Sequence, residues 1–423
     1  MLLEFSCANF RSINRKCTIS FLGQGISDPP ETNFVLLNKK LKVLKTAALY
    51  GANSSGKSNI ILAFSSMMGH ILDSVKLNDD DALEFDPFRL SSAEGKPTLF
   101  EVVSTLENKT YRYGFEFDNK AIYGEWLYRS SIGGKVEQAL FIRTEEGIGV
   151  NEKNFFEGVD KEENTNKNRL FLSLCAQLGG ELSKQLIANF KRMNVISGIY
   201  EQGYSGYSKL MLHKHLNGCD EARAFFHKME LGFDDIETVE QEFDMTALPN
   251  DMPDELKKEI AKELKGKRNI DLYSRHKIYD KHGKIVGTTN FDIDEESEGT
   301  KKLIQLSGPI FDTLANGNVL WIDELDAKMH PLISQYIVTL FNNPKTNPRN
   351  AQLIFSTHDT HLLSSKLLRR DQIWFTEKDS TEQTDLYNMM DIELPDGSKP
   401  RSDSNFERNY IAGRYGAIPY ILN

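Results

Sequence analysis

The sequence predicts an α/β protein that combines a mixed β-sheet, an antiparallel β subdomain and an inserted helical region. A glycine-rich loop at 51–58 lies between a strand-like apolar run and a helical pattern. Further along, the apolar runs 319–322 and 352–355 flank a second helical pattern. Strands that are joined through a helix in this way pair in parallel. Over 98–143, several short runs alternate apolar and polar side chains, which indicates antiparallel strands with one solvated face.

The composition is that of an ordinary globular protein. The 423 residues are 39% hydrophobic and 26% charged, which is enough for two or three packed units. The formal net charge of −10 gives no overall basic footprint for nucleic acid, although a local basic patch stays compatible with it.

The chain carries no sequence signal for export or for a membrane. Its four cysteines form no C-x-x-C pair, which favours free thiols in a reducing compartment over a zinc site or a disulfide framework. The N-terminus lacks a basic segment followed by a long apolar run, and no stretch of about 18 apolar residues occurs. We therefore expect a cytoplasmic protein without a membrane partner.

The patterns predict three segments along the chain. Residues 1–160 form an N-terminal lobe with an opening hairpin, the glycine-rich loop and the antiparallel meander. Residues 161–270 form a helical insertion, which includes a helix that starts near Pro253. Residues 271–423 form a C-terminal lobe, where a helix over 299–315 is expected to kink at its internal proline.

The glycine-rich loop is the main candidate for a functional site. It reads G-x-x-x-x-G-K-S between a strand and a helix, the context of a phosphate-binding P-loop, whereas the alternative is a glycine turn with a chance lysine and serine. Its glycines let backbone N–H groups face phosphate oxygens, and the helix N-terminus adds partial positive charge. Lys57 would reach the β- and γ-phosphates of ATP, and Ser58 would hold Mg²⁺. The predicted nucleotide-binding residues are Gly51, Asn53, Ser54, Ser55, Gly56, Lys57, Ser58 and Asn59.

Two carboxylates follow the apolar run 319–322 directly. Asp323 and Glu324 therefore emerge where a buried strand ends, as in a Walker B motif. Asp323 would bind Mg²⁺ opposite Ser58, and Glu324 would act as the general base for the attacking water. A strand that ends in two solvated acids is the structural alternative, and the P-loop upstream favours the catalytic interpretation.

The spacing and three further motifs resemble ABC-type ATPases, including the SMC, RecF and OLD-type heads. In those proteins a large insertion separates the two phosphate-site motifs. Ser297-Glu298-Gly299-Thr300 resembles a reduced ABC signature, which implies that Ser297 and Gly299 contact the γ-phosphate bound to an opposite subunit. Asp326 resembles a D-loop aspartate, and His358 resembles the switch histidine that senses the γ-phosphate. The resemblance implies a P-loop NTPase of ABC-ATPase type.

The resemblance narrows to stand-alone ABC/OLD-like AAA-family ATPases of bacterial phage-defence, or abortive-infection, loci. It implies a Mg-ATP-dependent homodimer or larger assembly that controls a separately encoded effector such as a nuclease or toxin. The flanking segments that carry this resemblance are Asn9-Phe10-Arg11-Ser12-Ile13, Leu170-Phe171-Leu172-Ser173-Leu174, Asp371-Gln372-Ile373-Trp374-Phe375 and Gly413-Arg414-Tyr415-Gly416-Ala417-Ile418-Pro419.

The sequence also departs from these families. Transporters carry Leu-Ser-Gly-Gly-Gln where this chain has Ser297-Glu298-Gly299-Thr300, and Gln177 is a Q-loop candidate by position only. About 65 residues follow His358 without an acidic Toprim-like pattern, so we expect no built-in nuclease of the OLD type.

Three other functions compete with the switch ATPase. A RecF- or SMC-like DNA-repair ATPase would show a basic stripe and hydrolysis stimulated by nucleic acid, and the acidic balance of the chain disfavours it. The short signature and the opening hairpin disfavour a transporter subunit. Lys57, Asp323 and Glu324 together disfavour a scaffold without catalytic activity.

Overall fold

A computed structural model describes residues 1–39, 41–91, 95–200, 203–242, 253, 268–394 and 397–419. The helix predicted from Pro253 falls almost wholly outside these residues.

The chain forms two compact units, each assembled from separate stretches of sequence. The first unit comprises Met1–Ile199, Gly317–Ala327 and Ser334–Asn423. The second unit comprises Tyr200–Asn316 and Lys328–Ile333. The bounds of these two units differ from those of the three segments predicted from the sequence. The three-segment division stays a prediction. No helix in the described residues has both the length and the apolar character needed to cross a membrane.

The described strands and helices are numbered in chain order. The strands are β1 (Leu2–Ala8), β2 (Cys17–Ser20), β3 (Phe34–Leu37), β4 (Leu41–Leu44), β5 (Thr46–Gly51), β6 (Thr98–Leu106), β7 (Lys109–Phe117), β8 (Ile122–Ser131), β9 (Gln138–Thr144), β10 (Gly147–Val150), β11 (Met193–Ser197), β12 (Asp235–Glu242), β13 (Arg268–Tyr279), β14 (Ile285–Asp292), β15 (Val319–Asp323), β16 (Gln352–Ser356), β17 (Ile373–Lys378) and β18 (Thr384–Asn388). The helices are α1 (Lys57–Asp73), α2 (Phe171–Gln177), α3 (Glu181–Phe190), α4 (Ser205–Lys214), α5 (Cys219–Lys228), α6 (Glu298–Asn316), α7 (Pro331–Asn342) and α8 (Phe406–Ile411).

The first unit contains a seven-stranded antiparallel sheet with the order β10-β9-β8-β7-β6-β1-β2. The predicted opening hairpin is confirmed, since β1 and β2 pair antiparallel with Glu4 opposite Ser20. The predicted meander is confirmed as well, because β6, β7, β8 and β9 pair in succession. Buried and more exposed side chains alternate over parts of β7 and β9, whereas β6 has no exposed residue.

The first unit also contains the six-stranded sheet β11-β15-β16-β5-β17-β18. Every neighbouring pair is parallel except the edge pair β17–β18. The parallel pairing of β15 with β16 confirms the prediction from the strand–helix–strand order. The carboxyl ends of β5, β15 and β16 meet at one edge, which is where ligands bind in sheets of this kind.

A common core joins the two sheets through α1. Apolar residues of α1 recur with helical spacing, and Phe64 stacks on Trp321 of β15 with ring centroids 4.5 Å apart. Phe5 of β1 packs edge-on against both rings, with ring centroids 5.1 Å from Phe64 and 5.9 Å from Trp321. The helix that follows the P-loop is therefore fixed by aromatic packing to both sheets.

One prediction for 161–270 is wrong. This range is not purely helical, because β11 and β12 lie within it. β11 has only five residues, too few for periodicity to distinguish a strand from a helical turn. It forms because β15 offers a parallel partner edge, from Met193 opposite Val319 to Ser197 opposite Asp323.

The second unit packs α4 and α5 with α6 and contains the antiparallel sheet β12-β13-β14. The helix α6 runs unbroken through Pro309. Proline has no N–H, so the carbonyl of Gln305 lacks its usual donor. The Ser208 hydroxyl donates to this carbonyl instead and accepts a bond of 3.2 Å from the N–H of Gly308. This serine explains how the helix tolerates the proline.

Candidate functional site

The P-loop has the strand–loop–helix geometry that the motif predicts. The buried strand β5 ends at Gly51, and α1 begins at Lys57. Gly56 has a left-handed backbone with φ of 111°, and a Cβ there would collide with the side chain of Thr384. A Cβ on Gly51 would come within 2.5 Å of both the Ser55 hydroxyl and the Thr376 carbonyl. Both glycines are therefore required by the packing of the loop.

Lys57 lies under the loop that it follows. Its buried Nζ donates to the carbonyl oxygens of Gly51 at 2.9 Å and Ala52 at 3.1 Å. Burial lowers the pKa of Lys57, and the carboxylates of Asp323 and Glu324 act in the opposite direction. The ammonium group is thus placed between the loop and the acidic pair.

Hydroxyl groups from distant segments fix the loop. The Ser55 hydroxyl bonds that of Thr376 at 2.6 Å, and the Thr384 hydroxyl donates to the Ser55 carbonyl at 2.9 Å. The Asn59 amide donates to the Ser12 hydroxyl at 2.6 Å, and Ser12 also bonds Thr384 at 2.7 Å. The side chains of Ser55 and Asn59 therefore bind protein groups and hold the loop in shape.

Asn53 and Ser54 form the exposed tip of the loop. Ser54 has a φ of 63°, a left-handed conformation that is uncommon for a residue with a side chain. A cavity of about 700 Å³ adjoins this tip and is lined by residues 51–55, His358 and residues 410–411 and 417–419 of the C-terminal segment, among others. The described part of the chain thus leaves the outer side of the loop open.

The acidic pair is held at the end of β15. The buried Ser356 hydroxyl donates to Asp323 Oδ1 at 2.5 Å and accepts the N–H of Glu324 at 2.7 Å. Glu324 has a φ of 57°, which costs on the order of 1 kcal/mol for a residue other than glycine. Both carboxylates are half-buried at the edge where β5 also ends.

Asp326 and His358 connect this turn to the loop after β16. The N–H of His358 donates to Asp326 Oδ2 at 3.3 Å. Burial and the charge of Lys57 lower the pKa of His358, while the nearby Asp326 opposes the shift. The imidazole of His358 is therefore neutral at pH 7. Like Lys57, it lies near the carboxylates of Asp323, Glu324 and Asp326.

The remaining predicted residues lie elsewhere in the fold. Ser297 and Gly299 belong to the second unit, where the Ser297 hydroxyl accepts the N–H of Thr300 at 3.1 Å and caps the start of α6. Gln177, the Q-loop candidate, lines a groove beside α1 and α3 together with Ile71. The P-loop, acidic and His358 segments are thus brought together within the first unit.

The sequence interpretation missed residues that support the loop and the acidic pair. A small hydroxyl residue at the end of a buried strand was a usable signal for Ser356. Thr376 and Thr384 gave no local signal, because they contact Ser55 across 321 and 329 residues of chain.

A family model described as "AAA domain, putative AbiEii toxin, Type IV TA system" matches residues 47–150 and 205–364, which is more than half of the chain. The chain belongs to this AAA-domain family. A search of the curated proteins finds no match.

Solved structures similar to this AAA-domain protein are remote. An SMC head bound to the C-winged helix domain of ScpA is 13% identical, with 92% of this chain and 97% of that chain covered and a TM-score of 0.38. RecF with ATPrS is 12% identical, with 91% of this chain and 98% of that chain covered and a TM-score of 0.33. RecF with ATP is 13% identical, with 91% of this chain and 97% of that chain covered and a TM-score of 0.31. These scores are too low to bear on function.

The residues of this AAA-domain protein fit a nucleotide with a divalent cation. The N-terminus of α1 presents N–H groups that lack helical partners, and this end of the helix attracts phosphate oxygens. Ser58 and Asp323 offer oxygen ligands of the kind that Mg²⁺ prefers. Lys57 supplies positive charge beside them.

Proposed function

We propose that the protein binds Mg-ATP and hydrolyses it. The observation that carries the proposal is the convergence of Lys57 with Asp323, Glu324 and Asp326, which lie close enough to shift its pKa. A family match to an AAA domain supports the same chemistry. An isolated structural glycine turn would not need a buried lysine facing an acidic turn.

Each residue has one role in this proposal. The N–H groups at the start of α1 and the Lys57 ammonium bind the β- and γ-phosphates, and Ser58 and Asp323 hold Mg²⁺. When bound, the cation neutralises charge on the phosphates and fixes their orientation. Glu324 takes a proton from the attacking water. Neutral His358 donates a hydrogen bond toward the γ-phosphate.

The test is ATP hydrolysis by wild type, Lys57→Ala and Glu324→Gln. We expect both variants to lose at least a hundredfold in rate, since each lacks a group that acts in the transition state. Glu324→Gln should still bind ATP with near wild-type affinity, whereas Lys57→Ala should bind it weakly. Equal hydrolysis by all three proteins would refute the catalytic assignment.

The proposal extends to a switch between nucleotide-bound and nucleotide-free states. Two copies would enclose two ATP molecules, each contacted by Lys57 of one chain and by Ser297 and Gly299 of the other, with Asp326 at the junction. Nucleotide can shift an equilibrium between conformations only through contacts that one conformation lacks, and these contacts between copies would supply them. Hydrolysis through Glu324 would reopen the assembly.

The switch would control a separately encoded effector in bacterial antiviral defence. The matching family's description names a toxin of a type IV toxin–antitoxin system, which supports a defence setting. Copurification of the tagged protein with the product of the neighbouring gene tests this partner, and no binding in either nucleotide state would contradict it. Hydrolysis stimulated by DNA, with no bound effector, would instead favour a DNA-repair ATPase.

A further inference from the structure

A strand that no motif predicts ends beside the acidic pair. β11 runs parallel to β15, with Ser197 opposite Asp323, so both strands end at the same edge of the sheet. The next residue, Gly198, donates its N–H to the Asp323 carbonyl at 2.5 Å. The backbone of the acidic turn is thus bound from the β11 side.

Only glycine fits at position 198. A Cβ there would overlap the Glu324 carbonyl oxygen and lie 2.7 Å from that of Asp323. These atoms belong to the backbone, so they cannot move aside as a flexible side chain could. The close approach of the two backbones therefore depends on the absence of a side chain.

Ser356 binds the same turn from the β16 side. Its hydroxyl accepts the N–H of Glu324 at 2.7 Å and donates to Asp323 Oδ1 at 2.5 Å. Its carbonyl accepts the N–H of Leu325 at 3.0 Å. Two neighbouring strands thus hold the turn between them through separate contacts.

The conformation of Glu324 needs such restraint. Its φ of 57° lies in the left-handed region, where residues with a side chain are rare unless the surrounding structure imposes it. A change in the φ of Glu324 would redirect its carboxylate, because the Cα–Cβ bond turns with the backbone. The contacts with Gly198 and Ser356 therefore decide where the Glu324 carboxylate points.

We propose that Gly198 and Ser356 are positioning residues that clamp the Asp323–Glu324 turn and aim Glu324 for hydrolysis. This inference rests on the proposed ATPase function. The hydrogen bonds given above for Gly198 and Ser356 go to the acidic turn, and none of them goes to the P-loop or to α1. We therefore expect the clamp to matter more for the hydrolytic step than for binding of the nucleotide.

The experiment compares kcat, KM and the Kd of a fluorescent ATP analogue in Gly198→Ala and Ser356→Ala. We expect kcat to fall by roughly tenfold to a hundredfold, since a shift of about 1 Å in a catalytic group costs that much. The Kd should stay within about threefold of the wild-type value. Thermal unfolding shows whether each variant is folded, and Ser356→Ala adds no atoms, so it decides the question if Gly198→Ala does not fold.

Two matched controls separate the clamp from general effects of substitution. Gly25→Ala adds a methyl group where no heavy atom lies within 4 Å. Ser334→Ala removes a hydroxyl that is fully buried and has no hydrogen-bond partner in the described structure. Both should hydrolyse ATP at the wild-type rate.

The outcomes distinguish the clamp from the ATPase proposal. Unchanged kcat in a folded Ser356→Ala, with active wild type and inactive Glu324→Gln, would overturn the clamp alone. A parallel loss of analogue binding and kcat would also overturn it, because it would indicate general damage to the site. Equal rates in wild type and Glu324→Gln would refute the ATPase function itself.

Discussion

At the residue scale, the site depends on small side chains that link distant segments. Thr384 is the clearest case, since its hydroxyl bonds both the Ser55 carbonyl and the Ser12 hydroxyl while its side chain lies against Gly56. One threonine thus fixes the P-loop, the turn after β1 and the edge strand β18 in a single arrangement. No sequence pattern near position 384 indicates this role.

Replacing Thr384 with valine keeps the shape of the side chain and removes its hydroxyl. Two hydrogen bonds are lost, each worth about 1 kcal/mol, and the Ser55 carbonyl loses a donor. We expect ATP affinity to fall about tenfold, measured by titration of a fluorescent analogue. Thr384→Ser keeps the hydroxyl and should bind like wild type; equal weakening in both variants would contradict a role for the hydrogen bonds.

At the element scale, the antiparallel sheet is linked by one carboxylate. Glu101 of β6 accepts from Arg112 of β7 at 2.9 Å, Trp126 of β8 at 2.9 Å and Lys16 at 3.0 Å. Burial alone would raise the pKa of Glu101, but the hydrogen bonds from Arg112 and Lys16 outweigh it, and the pKa is lowered. The ionised form is therefore favoured by folding.

Glu101→Gln should lower the free energy of unfolding by about 2 kcal/mol at pH 7, because it removes hydrogen bonds to an ionised group. A lowered folded-state pKa gives stability that is present above the unfolded value of about 4.3 and is lost as pH falls through the folded value. The difference between wild type and Glu101→Gln should therefore shrink below about pH 4. Urea unfolding at pH 7 and at acid pH measures it.

The control for this prediction is Glu116→Gln on β7, because Glu116 makes no ion pair in the described structure. Its unfolding should be unchanged at pH 7. A Glu101→Gln difference that stays constant with pH would show that ionisation of Glu101 does not stabilise the sheet.

Elements with regular patterns could be predicted, and elements that depend on a partner could not. The alternation of apolar and polar residues over β6 to β9 predicted the meander, because that pattern lies within each strand and needs no distant partner to be recognised. β11 was missed because its pairing with β15 bridges 126 residues, from Met193 to Val319. The kink expected at Pro309 stays a prediction, and the sequence could not show that Ser208 would supply the missing hydrogen bond.

A double-mutant cycle tests the compensation of Pro309 by Ser208. Ser208→Ala alone should destabilise the protein by about 1 kcal/mol, because the part-buried Gln305 carbonyl loses the donor that Ser208 provides. In a Pro309→Ala background, the N–H of the new alanine can donate to the Gln305 carbonyl. Ser208→Ala should then lower the free energy of unfolding by less. Thermal unfolding of the four proteins measures the coupling, and additive effects would contradict the compensation.

At the scale of the whole molecule, the candidate site could be predicted residue by residue but not as an assembly. The loop, the acidic pair and His358 were found because each follows a strand that is buried and therefore apolar. The supporting hydroxyls and Gly198 were not found, because their partners lie far away in sequence. Ser297 caps α6 and Gly299 lies in the first turn of that helix, both in the second unit, and their predicted role requires a second copy of the chain.

Glu324→Gln should form a dimer or larger assembly in Mg-ATP, because it binds nucleotide and does not hydrolyse it. Light scattering after size exclusion, with and without ATP, measures the mass. Lys57→Ala is the matched control and should keep the same mass in both conditions. A mass of Glu324→Gln that does not respond to ATP would contradict the switch between copies.

The strand order also has a consequence for synthesis on the ribosome. β5 carries the P-loop, yet both of its neighbours, β16 and β17, are made some 300 residues later. At about 5–20 residues per second, this apolar strand waits roughly 15–60 s with both edges unpaired. The antiparallel sheet, complete by residue 150, can fold on the nascent chain long before then. We expect chaperones to bind β5 during this interval, since an unpaired apolar edge is prone to aggregation.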